Sequence, residues 1–63
     1  MLVSDLYKVI EDDTPYMIEY CTKSCYGTLT GDDWNDVSQE ILDKRIKNIR
    51  YSKCFEKIVI FCE

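Results

Sequence analysis

The stretch Thr30-Gly31-Asp32-Asp33-Trp34-Asn35-Asp36 sets three carboxylates and an amide around the only tryptophan of a 63-residue chain. A second acidic run, Glu11-Asp12-Asp13, precedes it. Carboxylates at this density have three uses: holding a divalent ion, meeting a basic partner, or starting a helix. Neither run shows the alternating ligands and internal glycine of an EF-hand loop. Brought together they would suit magnesium, and two such ions support phosphodiester cleavage. Local structure offers the simpler account. Asp32, Asp33 and Asp36 stand where a helix start favours negative charge, and Asp36 with Gln39 has the spacing of a capping box. Capping outweighs metal binding on these grounds, so no metal and no other cofactor is expected. The remaining use is contact with a basic surface, such as the Lys- and Arg-lined groove in which a nuclease holds its substrate. The partner-binding candidates are then Asp12, Asp13, Asp32, Asp33, Trp34 and Asp36. Trp34 would serve as an anchor, because tryptophan is enriched at binding hot spots. Its competing role is core, and a chain with so little else to bury favours the core.

Other chemistry is thinly supplied. There is no histidine, which removes Ser-His-Asp and Cys-His machinery. The two glycines, Gly27 and Gly31, form no phosphate loop. Cys21 and Cys25 are spaced loosely like a zinc pair, but Cys54 and Cys62 are too far apart in sequence for a second. Free thiols are expected, with Cys25 and Cys62 in the core and Cys21 and Cys54 near turns. Lys44, Arg45, Lys47, Arg50 and Lys53, with Tyr51 and Phe55, are the candidates for nucleic-acid contact, since such a set tracks phosphates and stacks bases. A pI near 4.6 argues against strong autonomous binding and leaves a weak, salt-sensitive one open.

The charge is unevenly laid out. Residues 1–43 carry ten acids against Lys8 and Lys23, whereas residues 44–63 carry six bases against Glu56 and Glu63. Such polarity suits a charged partner or a self-complementary assembly, unless folding interleaves the halves. No apolar run approaches the roughly 20 residues needed to span a bilayer, and Met1-Leu2-Val3-Ser4-Asp5 lacks the basic start of a secretory signal. A cytoplasmic location and no membrane partner are expected, with thiols kept reduced.

These residues must be positioned by few elements, because a chain this short forms one domain, residues 1–63, with a thin core. Val3, Leu6, Tyr7 and Ile10 follow helical spacing after the cap candidate Ser4, which predicts a helix over 4–11. Tyr16–Cys21 and Cys25–Thr30 read as a hairpin, and pairing Cys21 with Tyr26 sorts apolar from polar residues best. A second helix is predicted over 36–43, then strands over 46–51 and 56–62. The last strand is apolar on both faces and belongs in the sheet centre or an interface. The expected fold is a small α+β domain of order αββαββ, two short helices on an antiparallel four-stranded sheet. Its open edges favour a homodimer or higher homo-oligomer.

The segments Ser4-Asp5-Leu6-Tyr7-Lys8-Val9-Ile10, Tyr26-Gly27-Thr28-Leu29, Ile41-Leu42-Asp43 through Ile49, and Ile58-Val59-Ile60 resemble small acidic proteins of Firmicutes phages and prophages. That group includes anti-CRISPR and other anti-defence proteins. The resemblance implies a compact, non-catalytic inhibitor that binds a host defence complex in the bacterial cytoplasm. One anti-CRISPR family of similar size resembles the single-stranded-DNA-binding fold of transcriptional positive cofactors, oligomerises and nicks supercoiled DNA. The helix-first order departs from that fold, and none of its functional residues maps onto this chain. The expected function is therefore an acidic protein–protein interaction module that inhibits a host nuclease complex. The alternatives are an oligomeric DNA-binding or magnesium-dependent DNA-nicking protein acting through the basic hairpin, and a structural or regulatory phage protein.

Overall fold

Runs rich in β-branched and aromatic residues form the strands β1 (Tyr16–Cys21), β2 (Tyr26–Gly31), β3 (Ile46–Ser52) and β4 (Lys57–Cys62). Two short helices, α1 (Val3–Tyr7) and α2 (Gln39–Leu42), and a 3₁₀ turn over Trp34–Asp36 complete the computed structural model, which describes residues 1–63. The chain is thus an α+β domain with the expected order αββαββ. No helix is long and apolar enough to cross a membrane.

The sheet order is β2-β1-β4-β3. Both hairpins are antiparallel, but β1 and β4 run parallel at the centre, so the sheet is mixed where a wholly antiparallel one was expected. The connection through α2 carries the second hairpin over the sheet and sets its last strand inside. Only β4 suits that place. Its Ile60 and Cys62 are buried on the helix side and Val59 on the other, as a central strand requires. In the first hairpin Cys21 does pair with Tyr26. Tyr16 and Ile18 consequently face the helices and are buried, while Glu19, Thr28 and Thr30 share the open face.

Two glycines make this face fit. Gly27 pairs with Tyr20 and Gly31 with Tyr16, and each tyrosine lays its ring over the glycine opposite. A Cβ on Gly27 would meet Tyr20 Cζ at 2.5 Å, and one on Gly31 would meet the Tyr16 hydroxyl at 2.8 Å. One core then joins Val3 and Leu6 of α1, Ile41 of α2, and Ile18 and Ile60 of the sheet around Trp34.

Both helices are shorter than their apolar spacing predicts. The extended N-terminus bridges to the start of β3, with Val3 N–H donating to Lys44 O at 2.9 Å and Ile46 N–H to Met1 O at 2.8 Å. The helix can begin only after this bridge. Leu2 therefore occupies the N-cap position, its N–H held by Asp5 Oδ2 at 2.9 Å, and Ser4 lies within the helix. At its other end Val9 is exposed and Glu11–Thr14 turn towards β1. The second predicted helix is split. Ser38 caps α2 by accepting from Ile41 N–H at 3.4 Å, which displaces the expected Asp36–Gln39 capping box. Among the cysteines, all free, Cys62 is buried as expected, but Cys25 is exposed because β2 begins only at Tyr26 and leaves it in the turn.

Candidate functional site

The two acidic runs converge at one end of the sheet. The link is made by backbone: Trp34 N–H donates to Asp12 O at 3.0 Å, and the indole Nε1–H donates to Thr14 O at 2.9 Å. The loop before β1 and the loop after β2 are thereby fastened side by side. Trp34 is 1% exposed, stacked on Tyr7 with ring centroids 5.5 Å apart and tilted against Tyr16 at 4.9 Å. It lies in the core and offers no surface to a partner, which corrects its assignment as a contact residue. Asp12, Asp13, Asp32, Asp33 and Asp36 are all exposed around it.

Their roles differ. Asp33 Oδ1 accepts from Asn35 N–H at 2.9 Å and so caps the 3₁₀ turn, while its carbonyl accepts from the Tyr16 hydroxyl at 3.3 Å. Asp12, Asp13, Asp32 and Asp36 accept no side-chain hydrogen bond from the backbone and join no ion pair; the chain's one salt bridge is Lys47–Glu63 at 3.2 Å. The field of these carboxylates is felt by the two tyrosines beneath. Burial first, and then Asp12 and Asp33, push the Tyr7 phenol above its ordinary value. Burial followed by Asp36, Asp33 and Asp32 does the same for Tyr16. Residues from both runs thus act on one small region.

This convergence makes a surface. No three Cys, Asp or Glu side chains come close enough together to hold a metal ion. The cysteines also stay apart: Cys21, Cys25 and Cys62 lie towards one end of the sheet and Cys54 sits in the β3–β4 turn at the other.

The basic residues do not gather comparably. Arg45 and Lys47 line one open cleft with Leu2, Asp43 and Glu63, Lys47 pairing with Glu63, whereas Arg50 shares a separate shallow groove on the open face with Glu19, Asn48, Val59 and Phe61. Lys53 lies in the β3–β4 turn, at the far end of the strand from Arg45.

Sequence reasoning missed Tyr7, Asn35 and Glu56 at this end and assigned Phe55 to the basic hairpin instead. Tyr7 and Asn35 bridge the acidic loops, the Tyr7 hydroxyl donating to Asn35 Oδ1 at 3.4 Å. Phe55 and Glu56 join Pro15, Gly31, Asp32 and Lys57 around an open cleft beside the acids. Phe55 is 62% exposed, and Glu56 holds a left-handed backbone at φ 55°. A non-glycine residue in that region is uncommon. The signal for Phe55 in the sequence was an aromatic between the last two predicted strands, next to Glu56 and Lys57.

Fold and site together define a small α+β domain with one acidic end. No protein-family model, curated protein or solved structure matches the chain.

Proposed function

We propose that the chain is a non-catalytic binding module whose acidic end engages a basic protein surface. The observation that carries this reading is the convergence of Asp12, Asp13, Asp32 and Asp36, from two separate runs, into one exposed surface that forms no ion pair. Like charges held together destabilise a fold unless a partner offsets them, and exposed carboxylates complement Lys and Arg arrays. Phe55 supplies the exposed apolar contact that Trp34 does not. The resemblance to small acidic phage proteins directs the reading towards anti-defence, with the nucleic-acid groove of a host nuclease complex as the target and competition with the phosphate backbone as the mode of inhibition.

The test is capture of nuclease effector complexes on the immobilised chain at increasing salt. Binding should weaken steeply as salt rises, since exposed charge pairs are screened within about 10 Å at 0.1 M. Changing Asp12, Asp13 and Asp32 to Asn should lower affinity about tenfold or more and flatten the salt dependence. Asp33 is left intact because it caps a turn. Binding unaltered by the triple change would remove the proposal.

A further inference from the structure

The sheet has two outer strands, and they are protected very differently. Along β3 the pairing with β4 is broken by a bulge between Ile46 and Asn48, Lys47 and Arg50 carry charge, and Met1–Val3 cover its first residues. Those are the usual defences of an open edge. Along β2, Tyr26-Gly27-Thr28-Leu29-Thr30-Gly31, there is no charge, no proline and no bulge in six consecutive pairs with β1. Nothing covers its outer side.

The hydrogen-bond pattern says which groups of β2 are free. Thr22 N–H donates to Cys25 O at 2.8 Å, and the antiparallel ladder alternates from that pair without interruption. Tyr26, Thr28 and Thr30 therefore turn their backbone N–H and C=O groups away from β1. We infer that β2 pairs antiparallel with β2 of a second copy of this chain, across a two-fold axis at Thr28, to give one continuous sheet through both copies.

The register follows from the residues. With Thr28 opposite its own counterpart, Tyr26 lies opposite Thr30 of the second copy, and every outward backbone group of the strand finds a partner. On the helix side Leu29 comes opposite Gly27, large against small. Thr–Thr and aromatic–β-branched pairs of this kind stabilise antiparallel strands. Centring the axis on Leu29 instead would leave Tyr26 beyond the end of the partner strand. Charge points the same way. Antiparallel pairing carries the β1–β2 turn, with Lys23, to the end of the second copy where Asp32 and Asp33 leave β2. Those are exposed charges of opposite sign. The same pairing through β3, centred on Arg50, would set Arg50 against itself.

Two measurements test this. By sedimentation equilibrium the chain should have twice its 7.5 kDa mass, and Thr28→Lys, which sets two like charges side by side, should return it to the single mass with an unchanged circular-dichroism spectrum. In a background with Cys21, Cys25 and Cys54 changed to Ser, Thr28→Cys should oxidise to a covalent dimer. Directly paired hydrogen-bonded residues lie about 5.5 Å apart at Cα, inside the range a disulfide spans. Thr30→Cys should not, being about 13 Å from its counterpart in this register. A single-mass wild type up to millimolar concentration, a dimer that survives Thr28→Lys, or equal cross-linking at both positions would overturn the inference.

Discussion

The Trp34 indole touches Tyr7 and Tyr16 and donates to Thr14 O, so one side chain joins the loop after β2, helix α1 and the entry to β1. A domain of this length has a total stability of about 3 to 9 kcal/mol. Trp34→Ala removes about 3 to 5 kcal/mol and should leave the chain largely unfolded by circular dichroism. Trp34→Phe keeps an aromatic ring but loses the hydrogen bond and part of the packing, so urea unfolding should show a smaller loss, of about 1 to 3 kcal/mol. The acids around it are visible through the tyrosines beneath. Tyr7 and Tyr16 are more readily neutral in the fold than in the unfolded chain, because burial and the nearby carboxylates raise their pKa. Their contribution to stability is complete below the unfolded value, near 10, and is lost as pH rises through the higher folded values. Alkaline titration followed by phenolate absorbance should show these two ionising late, and Asp12→Asn should bring Tyr7 back towards the ordinary value. A Tyr7 transition indifferent to that change would separate Asp12 from the cluster. The core role of Trp34 was legible in the sequence, since a lone large aromatic in a small chain must be buried. The identity of the capping residue was not, because Asp32, Asp33, Asp36 and Ser38 all suit a cap and the choice depends on how tertiary contacts turn the backbone.

At the scale of elements, the strands were legible and the helix limits were not. The Cys21–Tyr26 register follows from sorting apolar from polar side chains, and the interior place of β4 follows from two apolar faces. The parallel pairing of β1 with β4 leaves no comparable trace, since either direction buries the same residues. Helix ends depend on distant partners: α1 starts where Leu2 leaves its bridge to Arg45, a contact between residues far apart in the sequence. The glycines of β2 show the same dependence. Gly31 faces Tyr16, which is 1% exposed and bonded through its hydroxyl to Asp33 O, so the ring has nowhere to move. Gly31→Ala should cost about 1 to 3 kcal/mol in urea unfolding, as overpacking does. Gly27→Ala meets Tyr20, which is only partly buried at the margin of the core and has more room to yield than Tyr16, and should cost less. Equal losses at the two positions would contradict the distinction drawn from tyrosine burial.

Across the whole molecule, the split between an acidic first part and a basic last part survives folding only in part. Lys47 turns to Glu63 and Arg50 lies beside Glu19, so the bases are interleaved with acids, while the two acidic runs are pressed together. That asymmetry has an energetic consequence. Self-repulsion at the acidic end should lower stability in the absence of a partner, and salt should relieve it. Thermal unfolding of the wild type should therefore shift to higher temperature as sodium chloride rises from low millimolar to about 0.2 M, where the screening length has fallen to below about 10 Å. Asp12→Asn and Asp32→Asn, which remove charge without removing a cap, should each stabilise the chain at low salt and lose that advantage at high salt. Asp33→Ala should behave differently, because it removes the acceptor of Asn35 N–H and the relief of repulsion is offset by the lost cap. Stabilisation by the first two changes would identify acids retained at a cost to the fold, as expected of residues kept for a partner. A wild type indifferent to salt, or losses at all three positions, would mean that the acidic end holds itself together, and the argument for a basic partner would lose its energetic support.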